Sequence, residues 1–289
     1  MPAKRPASNC MEIRRAQPLL GTLVDIHVRN ANPAAVDRAF ARIAHVQRLM
    51  SFHDADSDLS RINLGAHRAP VTVHASTYRV LRLALALYHL TQHRFNPAVG
   101  RELVRMQCLP DHGFDARATL DFAALMLLPD NRVFCRQPLV ISLDGIAKGY
   151  AVDCAVHALQ AAGAAAGRVN AGGDLRVFGK PGQAVHVRDI DGAVHTLGSL
   201  KSGAVATSRI ATSGDEAYPA VLCYAAHAAP QHRGAVTVLA KTAWLADALT
   251  KVAAIAPAQL ARFGATSRYL PGAHPKETPC TSTRAASLA

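Results

Sequence analysis

Residues 142–153 read SLDGIAKGYAVD. They place an acid, two glycines and a lysine where an apolar run, LVISL (139–143), gives way to an alanine-rich segment. The pattern predicts a strand, a tight turn and a helix over 147–163. Glycines at such a turn let the backbone approach a ligand closely, and a helix N-terminus with Lys148 beside it offers positive potential to an anion such as a diphosphate. The same residues also suit a plain strand-to-helix turn with a solvated lysine. The turn is not a Walker loop, because the GxxxxGKS or GxxxxGKT spacing is absent.

Upstream, GTLVDIHVR (21–29) alternates as a half-buried strand does, and PAAVDRAFARIAHVQRLM (33–50) carries apolar residues at helical spacing. MSFHDADSDLSRIN (50–63) breaks that pattern with acids and serines and reads as a surface loop ending in a short turn of helix. STYRVLRLALALYHLTQH (76–93) is an apolar helix, FNPAVG (95–100) a turn, and 101–135 reads as irregular. Downstream, RVNAGGDLRVFG (168–179) is strand, glycine turn, strand, and AVHVRDIDGAVHTL (184–197) a hairpin through Asp191 and Gly192. Strands at AVATS (204–208) and GAVTVLA (234–240) and a helix at AWLADALTKVAAIA (243–256) complete the series. Strands joined mostly by hairpins, with helices laid against them, define an α+β class of mostly antiparallel sheets.

The chain has 289 residues, half of them apolar, enough for one large core or two modest ones. A formal charge of +12 and a pI near 9.9 suit an anionic ligand or an acidic partner. The basic residues are scattered, with no nucleic-acid module among them. Six widely spaced cysteines, Cys10, Cys108, Cys135, Cys154, Cys223 and Cys280, without a CxxC pair, read as reduced thiols. The basic start has no continuous apolar region before a cleavage site, and no 18-residue apolar run follows, so the chain as given reads as cytoplasmic with no transmembrane segment. Residues 1–17 read as a flexible lead and 271–289 as a disordered tail.

Two further features carry chemistry. Asn170-Ala-Gly-Gly-Asp174 forms either a backbone nest for phosphate or ribose, or an ordinary hairpin turn. Asp247 lies inside an apolar helix, where a buried carboxylate needs a cation or strong donors; a salt bridge to Lys251 one turn on is the simpler account.

Together these pieces resemble one family, the ApbE-type FAD:protein FMN transferases, in order from about residue 18 to 256. PLLGT (18–22) resembles the family's Met-Gly-Thr start, with Leu20 in place of the methionine. MSFHDADSDLSRIN, FNPAVG, SLDGIAKGYAVD, VNAGGDLRVFG, VATSRIATSGD and ADALTKVAAI are similar to its successive motifs. Each is weak alone; six in order are specific. Residues 18–270 are thereby identified as one ApbE-like, FAD-binding flavinyltransferase domain.

The resemblance implies that the opening turn lies under the FAD diphosphate and a bound Mg2+. It implies FAD contact for Lys148, and magnesium ligation by the Gly145 carbonyl and the Asp247 carboxylate. His53, Phe95, Asn96 and Pro97 would surround the flavin or adenine, with Gly172 and Gly173 near the cofactor. The implied reaction attaches FMN from FAD to a threonine or serine of an acceptor protein, releasing AMP. The implied acceptors are redox-complex subunits or reductases, and family analogy leaves a periplasmic location open beside the cytoplasmic reading. His227, in HAAPQHRG (227–234), matches the family's general base. Departures cluster at the metal and base. Ser142 stands where the family has an aspartate, with Asp144 two residues on, and Lys251 replaces a hydroxyl ligand. An ammonium there would itself balance Asp247 and diphosphate charge. The alternatives are a non-catalytic FAD-binding or flavin-delivery protein, or an FAD diphosphatase.

Overall fold

The computed structural model describes residues 12–210 and 234–271. The chain opens with β1 (Glu12–Leu19) and β2 (Thr22–Arg29), joined by a two-residue turn in which Leu20 and Gly21 have φ of 56° and 68°. Paired positive angles match hairpin twist but are unfavourable for leucine; a 2.6 Å bond from Leu20 N to Gln47 Oε1 helps hold it there. Residues 12–17 are therefore strand and not free lead. As an edge strand, EIRRAQPL buries no position fully, so its sequence lacks the apolar alternation that marks a strand.

Next comes α1 (Pro33–Met50), with Asn32 Oδ1 accepting from Ala35 N at 2.8 Å and Pro33 at the first position. It buries Val36, Phe40, Ile43, Val46 and Met50. The acidic segment after it is less solvated than its composition suggests. In α2 (Asp58–Gly65), Asp58, Ser60 and Asn63 are buried. Asp58 Oδ2 accepts from His74 N at 2.8 Å and from the Thr77 hydroxyl at 2.7 Å, and Arg61 pairs with its other oxygen.

The region expected to be irregular contains a short helix, a single 3-10 turn (Phe122–Ala124) and two short strands. After β3 (Val71–Thr72) and α3 (Ala75–Leu90) come α4 (Gly100–Arg105), β4 (Leu125–Leu128) and β5 (Arg132–Cys135), with a small sheet in the order β3-β5-β4. LVISL is not a ladder strand. Its backbone is satisfied instead by the Asn63 side-chain amide, which bonds both N and O of Ile141 at 2.8 and 2.9 Å, and by Gly100 N and Pro97 O.

The second half supplies α5 (Ala147–Ala161), β6 (Ala166–Ala171), β7 (Asp174–Phe178), β8 (Gln183–Arg188), β9 (Val194–Leu200), β10 (Gly203–Ile210), β11 (Gly234–Ala240), α6 (Ala243–Ala253) and β12 (Thr266–Pro271). The main sheet has seven strands in the order β1-β2-β6-β7-β10-β11-β12, every neighbour antiparallel. The fold is α+β. α5 packs on β6 and β7 between α1 and α6, while α6 packs on β10 and β11. Alternate residues face opposite ways: Ala204 and Ala206 of β10 join the large helical core, whereas Val205 joins Val185 and Val187 of the β8–β9 hairpin. No helix among the described residues is long and apolar enough to cross a membrane.

Candidate active site

The site begins where α5 meets α6. Gly149, in the first turn of α5, is set so close to α6 that a Cβ there would lie 2.3 Å from the Ala243 carbonyl oxygen. This proximity allows a carboxylate exchange. Asp247 Oδ2 on α6 accepts from Gly149 N at 3.2 Å. Asp153 on α5 accepts from Ala243 N at 3.1 Å and Trp244 N at 2.9 Å, at the start of α6, and from Arg176 at 2.8 Å. Neither helix has a capping side chain of its own; each is capped by the other.

Above this junction lie two lysines and two buried carboxylates. Lys148 Nζ is 3.2 Å from Asp174 Oδ2, at the start of β7, and Lys251 Nζ is 2.8 Å from Asp247 Oδ1. Asp174 and Asp247 are 2% and 1% exposed, so without these ammoniums each would be a costly isolated charge. Burial, aided by the neighbouring Asp247, pushes the Asp174 carboxyl up to about 6, whereas attraction to Asp174 lifts Lys148 above the usual lysine range. Both partners move upward because desolvation of the carboxylate outweighs the pull of the ammonium on it.

A cavity of about 710 Å³ opens over the lysines. It lies in the upper part of the roughly 300–1,000 Å³ range of small-molecule and cofactor sites. Val46, Met50, Phe52, Phe95, Val99 and Leu103 give it apolar wall, while Arg94, Asp144, Lys148, Arg209 and Lys251 bring charge, four cations against one exposed acid. Such a lining suits a ligand with a flat apolar group and an anionic one.

A family model described as the ApbE family matches residues 20–268. The chain belongs to the ApbE family. It is 27% identical over 173 residues to an FAD:protein FMN transferase of Klebsiella pneumoniae, an alignment covering 56% of this chain and 54% of that protein. It is 28% identical over 189 residues to one of Treponema pallidum, covering 58% and 52%. The chain thus spans about half the length of the curated relatives it matches. Among solved structures it resembles the flavin transferase ApbE of Vibrio cholerae, with a TM-score of 0.76 at 22% identity over 91% of this chain and 94% of that one, a likeness of fold.

Within this ApbE fold, the expected site residues divide. His53, Phe95, Asn96, Pro97, Gly145 and Lys148 all line the cavity. Pro97 O accepts from Ser142 N at 2.9 Å, and Asn96 is anchored through Nδ2 to Leu120 O at 2.8 Å. Gly172 and Gly173 do not line it. They form the β6–β7 turn with φ of 60° and 106°, where a side chain on Gly172 would strike Thr22, and they act by delivering Asp174 to Lys148. Asp247 lies beneath the wall, covered by Lys251. His227 lies outside the described residues. Asp144 does not cap α5; it bonds Ser142 Oγ at 3.1 Å.

The donor set, as placed, does not fit the divalent cation expected of an ApbE protein. Asp247 spends one oxygen on Lys251 and the other on Gly149 N. The Thr250 hydroxyl, fully buried, bonds Asp247 O and Ser208 Oγ, each at 2.7 Å. No group of three or more His, Cys, Asp or Glu side chains able to hold a metal occurs among the described residues. Asp153, Asp174, Ser208, Arg94 and Arg209 were not singled out from sequence. The first two carried a usable signal: Asp153 is an acid in an apolar helical run and Asp174 ends the glycine turn.

Proposed function

We propose that this chain is an FAD:protein FMN transferase that attaches FMN through a phosphoester to a threonine or serine of an acceptor flavoprotein, a redox-complex subunit or reductase, and releases AMP. One observation carries the reading: three stretches far apart in the chain, the 51–53 segment, the 94–97 turn and the 142–148 turn, converge on a single cavity of mixed apolar and cationic lining. The names of the Klebsiella and Treponema relatives agree with it.

In this reading the isoalloxazine takes the apolar wall, with Phe95 and the exposed His53 beside it, and the diphosphate lies against Lys148 and Lys251. The acceptor hydroxyl oxygen forms a bond to the FMN-side phosphorus, the P–O bond to AMP breaks, and the hydroxyl proton leaves to a general base, for which His227 is the candidate. Phosphoryl transfer asks the protein mainly to position groups and offset charge on the phosphorus oxygens, and the two ammoniums supply that offset. Magnesium would have to be held by the Gly145 carbonyl and the Asp247 carboxylate, and Asp247 Oδ1 is already paired with the Lys251 ammonium at 2.8 Å.

The test is the intact mass of a threonine-bearing acceptor domain after incubation with this protein and FAD, with AMP followed in parallel. The expected result is a mass gain of one esterified FMN with equimolar AMP. Free FMN plus AMP with unmodified acceptor would instead make the protein a diphosphatase, and unchanged FAD would make it a flavin carrier.

A further inference from the structure

The Lys251 side chain crosses the space between the two residues that an ApbE-type metal would need. Its ammonium lies 2.8 Å from Asp247 Oδ1 and 3.2 Å from Asp247 O, while its Cε is 3.1 Å from the point where a side chain on Gly145 would begin. A third contact, to Ser208 Oγ, is 3.5 Å long. The Lys251 side chain is 18% exposed and reaches the cavity, whereas Asp247 beneath it is 1% exposed. A divalent cation bound to both the Gly145 carbonyl and Asp247 Oδ1 would meet this ammonium at close range, so either the metal or the ammonium can occupy the place.

We infer that Lys251 is a tethered replacement for the divalent cation, so that this chain binds its diphosphate ligand between two ammoniums, those of Lys148 and Lys251, without a metal. The inference deepens the flavin-transfer reading and rests on it for the identity of the ligand. Three features make the replacement workable. Asp247 has no need of a metal to offset its charge, because the lysine one turn away does so at hydrogen-bond distance. Gly145 carries no side chain to obstruct the lysine stem. Ser208 keeps its 2.7 Å bond to Thr250, so the loose third contact of the ammonium is the one a phosphate oxygen can take over. The Thr250 hydroxyl, tied down on both sides, is not available to restore a metal ligand.

The experiment compares the wild type with Lys251→Thr, which removes the ammonium and returns a hydroxyl one turn after Asp247. Circular dichroism checks that the variant is folded, and Lys251→Met serves if it is not. The first arm measures uptake of Mn2+ by electron paramagnetic resonance, without FAD and with it. The wild type is expected to take up none at a concentration where Lys251→Thr binds one ion. The second arm measures FAD affinity in EDTA and in excess Mg2+. Wild-type affinity is expected to change less than about twofold, whereas that of Lys251→Thr rises by about tenfold or more with metal. Stoichiometric Mn2+ on the wild type, or wild-type FAD binding that collapses in EDTA, would overturn the inference, as would absence of Mn2+ uptake by the variants in every condition. If FAD binds in no arm, the flavin reading fails, while the metal-only arm still decides whether Lys251 excludes the ion.

Discussion

Asp153 and Asp247 are exchanged between two helices: each carboxylate sits on one helix and accepts from a first-turn amide of the other, through Ala243 and Trp244 in one direction and Gly149 in the reverse. Lys148 and Lys251, which line the cavity, stand on these same two helices. The junction therefore sets the distance between the groups that flank the proposed diphosphate, and fold stability and site geometry are coupled there.

Asp153→Ala removes the acceptor of both α6 amides and of Arg176. Loss of a helix cap together with buried charge-assisted hydrogen bonds is expected to cost about 2–4 kcal/mol, read from urea denaturation. Asp153→Asn, which retains one carbonyl oxygen, is expected to lose less. Equal stability of all three proteins would show that α6 does not depend on this carboxylate.

Gly149→Ala sets two effects against each other. On helix propensity alone, replacing glycine inside a helix gains about 1 kcal/mol. The new methyl would, however, lie 2.3 Å from the Ala243 carbonyl oxygen, backbone that cannot move without displacing α6. Overpacking of this kind commonly costs about 1–3 kcal/mol or more, so the variant is expected to melt below the wild type and to bind FAD more weakly. A higher melting temperature would mean that the helices separate easily.

Lys148→Met should cost more stability at neutral pH than in mild acid. Asp174 has its folded pKa raised, to about 6, above the ordinary carboxylate value; an acid shifted upward loses stability as pH rises from about 4 through that pKa. Lys148, itself raised, contributes its stability throughout the range below its unfolded pKa and so limits this loss. Without the lysine the carboxyl titrates higher still. The gap in urea midpoint between variant and wild type is expected to widen between pH 4.5 and 7.5, and a constant gap would mean that the pair is not coupled.

His227→Ala tests the general base. Transfer to the acceptor is expected to slow by about 10²–10⁴-fold while FAD affinity stays within about twofold. Full activity would remove His227 from the mechanism.

Much of the fold was readable because its hairpins carry glycine punctuation and its core helices have regular apolar spacing; β6, β7 and α5 lie where the pattern puts them. β1 was not readable, since an edge strand of charged residues lacks apolar alternation. LVISL read as a strand because burial on all sides gives the same apolar run whether a neighbouring strand or the Asn63 side chain satisfies the backbone. At the site, Lys148 and Asp247 were visible as local anomalies. The expectation that the α5 N-terminus itself offers positive potential to an anion omitted Asp247, which already occupies a first-turn amide there. That partner lies ninety-eight positions away in the chain, as its bond to Gly149 records, and local pattern does not register such a distance.

The cavity wall is drawn from residues as far apart as Leu20 and Lys251, so no single lobe of the molecule owns it. A ligand that fills it bridges the first hairpin, the 142–148 turn and the last long helix at once. Occupancy should therefore protect amides across the whole core from hydrogen exchange, in α1 and α6 alike, instead of quieting one loop.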